Sequence, residues 1–498
     1  PSPCPLVPLS PCPFIYMLDY DLVVIGGSPA GIYAAVKATH SNARVALVAS
    51  PLLGSTWSES SSKYNKALTY IGKVARTLED AAIFGWSNKE QLNRSLEFGE
   101  TIKWAKGIVA SLDENYSPAV LASLGVDVIF GEGEFCRHAP DFAFAVKDQY
   151  LRSRKYLIAT NSTPVIPEIE GLESAGYLTP DSIWQLANVE LPKSLIVIGN
   201  DPVGVELAQT FSRLGTQVSL VVSSSHILAK EDREAALLIQ SQLEAEGIQI
   251  FTEYHVTQVR WLQDKKWIQA GNKAIDADEI LITTEFQPNT SALNLDAVGV
   301  KCNSQGIIVN SKLQTTNHRI YACGDVLGGY RFPHIANYEA QIALKNLRTF
   351  PNSQVDYRYI PWAILSDPEL ARVGLTEAQA KRRYADVLLT RRYFKMVDKA
   401  QIRGETTGFC KVITLSNGEI LGAHIVGAEA SELIHVFALA MQQKLKIKAI
   451  ANLTPIFPTL SEINCQTAAD WQYYHQFPNS SKPNLWEGFL NLVRSWFN

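Results

Sequence analysis

No Cys-x-x-Cys pair occurs in this chain, and its seven cysteines (Cys4, Cys12, Cys136, Cys302, Cys323, Cys410 and Cys465) are scattered over 498 residues. That spacing and the odd number argue against a disulfide framework and for reduced thiols, so a cytoplasmic setting is expected. No run of about 18 apolar residues is present, which excludes a membrane-spanning helix on hydropathy. Residues 1–16 lack the basic start and long apolar stretch of a secretory signal. Neither sign of charge is in excess: 45 basic against 49 acidic residues leave a formal net charge of −4. With the signs mixed throughout, the chain has no electrostatic footprint for nucleic acid.

What the chain does have is length and apolar content. At 46% hydrophobic it can bury a large core, and 498 residues divide into about three domains of roughly 150 residues. The proline-rich start, residues 1–16, cannot build regular structure and reads as an extension ahead of the folded protein.

A repeated pattern organises the rest. Residues 21–31 read Asp-Leu-Val-Val-Ile-Gly-Gly-Ser-Pro-Ala-Gly, and residues 194–204 read Ser-Leu-Ile-Val-Ile-Gly-Asn-Asp-Pro-Val-Gly. Each is an apolar strand, a tight turn and a helix start, so backbone amides at the turn can hold a pyrophosphate. Helices are expected at 32–39 and 205–214 and second strands at 44–49 and 217–222, which completes a βαβ unit each time.

Both copies depart from G-x-G-x-x-G at the middle glycine, which is Ser28 in the first and Asp201 in the second. Ser28 is small and uncharged, so backbone can still approach a phosphate. Asp201 would set a carboxylate beside a dianion, a repulsion of about 4 kcal/mol per charge pair at 4 Å and an effective dielectric of about 20. Unrelieved, that would cost about a thousandfold in affinity. The alternative is that Asp201 points away and caps the following helix. The acidic residue that normally takes the ribose hydroxyls is also missing, being Ala49 and Val222. Ser223, Ser224, Ser225 and His226 either receive a 2′-phosphate, which would favour NADPH, or form an ordinary polar loop.

Beyond these turns, residues 20–475 resemble the pyridine-nucleotide disulfide oxidoreductases, the family of glutathione reductase, dihydrolipoamide dehydrogenase and mercuric reductase. The likeness is carried by Tyr-Leu-Ile-Ala-Thr-Asn-Ser-Thr-Pro-Val-Ile-Pro at 156–167, similar to the family's Ala-Thr-Gly-Ser-x-Pro junction with Asn161 for glycine. Thr-Thr-Glu-Phe-Gln-Pro-Asn at 283–289 is similar to the second junction, with Glu285 and Phe286 for Gly and Arg. Leu-Gln-Thr-Thr-Asn-His-Arg-Ile-Tyr-Ala-Cys-Gly-Asp-Val at 313–326 matches the second flavin fingerprint, and residues 361–377 and 458–462 resemble the ends of the interface domain.

The resemblance implies an α/β fold with two Rossmann-like nucleotide-binding domains and a C-terminal α+β dimerisation domain. FAD would take residues 17–162 with 290–357, NAD(P) residues 163–289, and the homodimer interface residues 358–475, leaving a tail at 476–498. It implies FAD along Gly26, Ser28, Pro29, Ala30, Gly31, Ser50, Gly54, Ser55, Thr56, Lys66, Gly133, Thr160, Asn161, Asp325 and Val326. NADPH or NADH would use Gly199, Asp201, Val203, Gly204, Glu206, Ser223 and Ser224. Lys66 aligns with the family's lysine near the reactive flavin nitrogen and Glu206 with its partner, a pair that reads as hydride-transfer machinery or as a purely interdomain ion pair.

Against the same pattern, Trp57 and Ser62 stand where the family carries its redox cysteines, and Phe457 where it carries its catalytic histidine, while Glu462 stays. Neither an indole nor an alcohol can relay electrons as a thiol pair does. Trp57 either packs on the flavin ring, closing the usual disulfide space, or is a core aromatic. The expected activity is electron transfer from NAD(P)H through FAD to a small-molecule acceptor that is not a disulfide, a quinone-like molecule above all. The alternatives are a flavin-binding protein without turnover and a thiol route through Cys465. The tail at 484–498 places Leu485, Phe489, Leu492, Val493 and Trp496 on one helical face, which suits either a peripheral membrane contact or packing on the dimer. No metal site is expected.

Overall fold

The computed structural model describes residues 18–49, 60–81, 85, 97–138, 141–183, 190–347 and 352–476. The extension at 1–16, the tail helix at 484–498 and the segment holding Ser50, Gly54, Ser55, Thr56 and Trp57 lie outside them.

The N-terminal unit is built on β1 (Leu18–Ile25), where Val23 and Val24 are wholly buried, as a strand flanked on both sides and covered on both faces must be. It pairs in parallel with β2 (Val45–Ala49), which pairs with β3 (Val126–Phe130). On its other side lies β6 (Gln149–Ile158), whose far half also pairs in parallel with β16 (Ile320–Ala322). A hairpin, β4 (Gly133–His138) and β5 (Asp141–Val146), continues the sheet antiparallel from the start of β6. Helices α1 (Pro29–Thr39) and α6 (Pro333–Asn346) pack together on one face, and Phe135, Phe144 and Tyr156 fill the other.

An inserted unit follows. Its parallel sheet runs β10 (Gln249–Thr252), β9 (Gln217–Val222), β8 (Ser194–Ile198), β14 (Glu279–Ile282). An antiparallel sheet, β11 (Val256–Leu262), β12 (Lys265–Ala270) and β13 (Lys273–Ala277), covers it. The chain enters through β7 (Ser162–Pro164) and leaves through β15 (Phe286–Pro288), and these two pair antiparallel. The two junction motifs read from the sequence are thus the two strands of one ribbon.

The C-terminal unit is a five-stranded antiparallel sheet, in the order β17 (Trp362–Ile364), β18 (Glu369–Gly374), β21 (Ile420–Gly427), β20 (Phe409–Leu415), β19 (Val387–Tyr393), with α7 (Glu462–Gln476) against it. Buried ions tie it to the inserted unit. Lys411 Nζ lies 2.6 Å from Asp232 and 3.2 Å from Glu234, at the start of α5 (Arg233–Ala245). Arg213 lies 2.8 Å from both Glu246 and Asp367.

The expected βαβ units are present, and both first helices begin earlier than hydropathy indicates. Helix α1 starts at Pro29 and α4 (Pro202–Arg213) at Pro202, because a capping side chain precedes a proline in the first turn of each.

Candidate functional site

The two glycine turns are built alike. Gly26 has φ +115°, and a Cβ there would sit 2.1 Å from the Ala159 carbonyl oxygen; Gly199 has φ +128° and the same clash at 2.0 Å with Thr283. Only glycine fits either place. Gly31 and Gly204 are as constrained, since added Cβ atoms would meet Gly26 O at 2.1 Å and Thr283 Oγ1 at 2.2 Å. Pro29 and Ala30 open α1, capped by Ser28 Oγ, which accepts from the Gly31 amide at 3.1 Å. Val203 follows Pro202 in α4, and its amide donates to Asp201 Oδ1 at 3.1 Å.

Asp201 therefore caps its helix, the second of the two roles open to it on sequence. Its other oxygen, Oδ2, forms an ion pair with Arg331, which stacks over the Phe286 ring at 3.7 Å from the centroid. The carboxylate thus carries its own counter-ion, which offsets the repulsion that an unpaired Asp201 would exert on a phosphate.

Around the first turn, Gly324 and Asp325 follow β16, and a Cβ at Gly324 would stand 3.9 Å from Ala30 Cβ. The second fingerprint is thus brought to the first helix start. Asp325 Oδ2 accepts from Ser162 Oγ at 3.0 Å, and burial pushes its carboxyl above the usual carboxylate range. Val326 is wholly buried beneath it. Thr160 Oγ1 donates to Asn289 O at 2.7 Å, and the Asn289 amide returns a bond to Thr160 O. Asn161 takes φ +59°, the left-handed conformation that glycine would supply there and that asparagine tolerates. Gly133, in contrast, sits inside the β4–β5 hairpin, where a Cβ would strike Ala145 O at 2.5 Å and Phe144 at 2.6 Å.

Helix α2 (Ser60–Asp80) packs on α3 (Phe98–Glu114) and on α4 of the inserted unit, with Gly72 against Thr210. This contact brings Lys66 to Glu206, whose carboxylate oxygens lie 2.7 and 2.5 Å from Nζ. Glu206 is almost fully buried at 2% and also accepts the Leu365 amide at 2.7 Å, while Lys66 keeps 37% of its side chain exposed. Beside the pair opens a crevice of about 240 Å³ lined by Lys66, Tyr70, Gln209, Arg213 and Asp367. One residue before Lys66, the buried Asn65 Oδ1 has no hydrogen-bond partner among the described residues.

These features suit a bound dinucleotide with a polar ring edge near α2: bare turns at the strand ends, a buried aspartate whose second oxygen has no bond to a described residue, and an orphaned amide oxygen beside a lysine. Ser28 to Gly31, Thr160, Asn161, Asp325 and Val326 line the first turn, and Asn65 and Lys66 stand on the helix that follows β2.

After β9, Ser224 Oγ accepts from Asn200 Nδ2 at 2.8 Å and donates to His226 O. His226 is buried with Nδ1 2.8 Å from Ile227 O, so it faces inward, and of the four only Ser223 and Ser225 are exposed.

Several residues here carry little signal in the sequence. Arg331 follows a Gly-Gly-Tyr turn and belongs to no motif, and nothing in the junction around Ser162 points to Asp325. Glu339 is buried on α6, where Oε2 accepts the Gly324 amide and Oε1 the Tyr357 hydroxyl, both at 2.6 Å, and burial pushes its carboxyl up to about 7. An acid inside an otherwise apolar helical face is its signal.

The sequence holds no cysteine between Cys12 and Cys136. Burial raises the thiols of Cys323, Cys410 and Cys465, and the five described cysteines are all free. Ser62 lies half-buried in the first turns of α2. Phe457 is 69% exposed, next to Ile456 at 78%, and Glu462 Oε1 accepts the Thr459 amide at 2.8 Å. Among the described residues no helix is long and apolar enough to cross a membrane, and no cluster suits a metal ion.

Residues 20–340 match the pyridine nucleotide-disulphide oxidoreductase family, and residues 360–468 match its dimerisation domain. Mercuric reductase of Staphylococcus aureus is 31% identical over 450 residues, covering 89% of this chain and 81% of that protein. Dihydrolipoyl dehydrogenase of Bacillus subtilis (strain 168) is 30% identical, covering 91% and 96%. Among solved structures, LpdA from Mycobacterium tuberculosis superposes with a TM-score of 0.79 at 24% identity, covering 90% of this chain and 99% of its own. The HOCl-induced flavoprotein disulfide reductase RclA from Escherichia coli has a TM-score of 0.78 at 24% identity and the same coverage. Both share the fold. The chain belongs to the pyridine nucleotide-disulphide oxidoreductase family, whose members are FAD-dependent and take electrons from NAD(P)H.

Proposed function

We propose that this chain is a homodimeric FAD oxidoreductase that draws electrons from NADH or NADPH and delivers them to a non-disulfide acceptor, a quinone-like small molecule. The observation that carries this reading is a divided site: the Lys66–Glu206 pair is in place, while no cysteine stands within the first hundred residues after Cys12. The relatives are by name a mercuric reductase and a dihydrolipoyl dehydrogenase, so the non-disulfide acceptor is this reading's own claim.

When bound, FAD accepts a hydride from a reduced nicotinamide and releases electrons onward. The protein's part is positional and electrostatic. Glu206, fixed by Leu365 and nine-tenths or more out of solvent, holds the Lys66 ammonium in one orientation at the boundary between the two nucleotide units. A fixed cation there stabilises negative charge on a neighbouring ring without reorganising. Trp57 and Ser62 supply no thiolate, so the electrons leave without a sulfur relay. The exposed Leu453, Ile456, Phe457 and Tyr473 of the C-terminal unit support a homodimer that covers them. The stripe at 484–498 offers the route by which a lipid-soluble quinone would be met.

Anaerobic addition of NADH and NADPH, followed by a soluble naphthoquinone or by lipoamide disulfide, tests the reading. Flavin bleaching with return of colour only on the quinone is expected; a flavin that stays oxidised with both donors, or turnover with the disulfide, rules it out. The non-turnover alternative rests on Asp201 and on the replaced glycines of the turn and junction motifs; the Arg331 ion pair weakens the first of these grounds.

A further inference from the structure

We propose that Arg331 is a phosphate-binding residue for the nicotinamide dinucleotide, supplied across the domain boundary and held at the second turn by Asp201. The inference rests on the nicotinamide reading above and assigns the residue that makes an acidic turn compatible with it.

Arg331 belongs to the N-terminal unit, shortly after the helical turn at Gly324–Leu327, yet its guanidinium reaches the inserted unit. Its loop is anchored: Tyr330 packs on Tyr357 and Trp362 at 5.4 and 5.1 Å, and Phe332 on Trp362 at 6.3 Å. One guanidinium nitrogen takes Asp201 Oδ2, and one face lies on Phe286. A guanidinium carries five N–H donors, and among the described residues Arg331 makes no other hydrogen bond, with 29% of its side chain still exposed. Asp325, beside the first turn, feels both the attraction of Arg331 and the repulsion of Asp201.

The arrangement leaves edge donors beside the Gly199–Gly204 turn, where a planar fork suits phosphate oxygens. Asp201 orients the arginine and caps α4; Arg331 in turn cancels the charge that would repel a pyrophosphate. Arginine and aspartate are therefore one device, and removing either alone should act in opposite directions.

The test uses the FAD-loaded full chain, with NADH and NADPH as probes, titrated calorimetrically against wild type, Arg331→Met, Asp201→Gly and the double variant. Arg331→Met should weaken both donors at least tenfold, since it removes the phosphate contact and also strands Asp201. Asp201→Gly should bind as tightly as wild type or more so, and the double variant should recover only part of the loss, the remainder being the missing arginine–phosphate contact; full recovery in the double variant overturns the proposal. Binding unchanged or tightened in Arg331→Met, as for a mere latch between domains, overturns the proposal and leaves the function standing. Should Arg331→Met fail to fold, a tenfold loss in Asp201→Gly alone overturns it equally. Wild type that binds neither donor overturns both readings together.

Discussion

Lys66, Glu339 and His424 show how single side chains set this molecule's behaviour. On the proposed reading, in which the Lys66 cation stabilises charge on the reduced ring, replacing Lys66 by methionine should slow flavin reduction by NAD(P)H about a hundredfold per bound FAD in stopped flow. Glu339 governs a different property. Folded, its carboxyl titrates at about 7, whereas unfolded it titrates at about 4.3, so between those values the folded chain keeps a proton that the unfolded chain releases. Its contribution is therefore full below about pH 4.3 and is lost as pH rises through 7, a swing on the order of 3 kcal/mol. Glu339→Gln should flatten that decline in urea unfolding curves measured from about pH 5 to 8. His424 works the other way, since burial holds it neutral and stability falls as acid forces a proton onto it.

At the scale of elements, the paired strands β7 and β15 form the two-stranded ribbon through which the inserted unit is attached. Asn161 stands at its entrance with φ +59°. Asn161→Gly should leave stability unchanged or slightly higher, whereas Asn161→Val should cost about 1–2 kcal/mol in urea, because a branched side chain resists the left-handed region. These elements also show what the sequence can disclose. Strands β1 and β8, both turn glycines and both junctions are readable, because a buried parallel strand must be apolar and a tight turn must be glycine. The helix starts are less so, since a cap followed by proline hides behind a hydropathy pattern and shifts each start toward the N-terminus. The roles of Arg331, Ser162 and Glu339 are not readable, for their partners lie 130, 163 and 15 residues away and only the folded chain joins them.

For the whole molecule, the C-terminal unit leaves Leu453, Ile456, Phe457 and Tyr473 exposed among the described residues. Introducing glutamate at Ile456 and Phe457 should convert a dimer to monomers in sedimentation, with the visible flavin spectrum reporting whether FAD needs the dimer. Three units, two buried interdomain ion clusters and the Lys66–Glu206 bridge make one body around the boundary where donor and flavin would meet. The central claim is that this boundary works without a sulfur relay. Anaerobic reductive titration counts it directly: a dithiol–disulfide couple stores two electrons beyond those of the flavin. The protein should take up two electrons per FAD and no more; uptake of four would contradict the account.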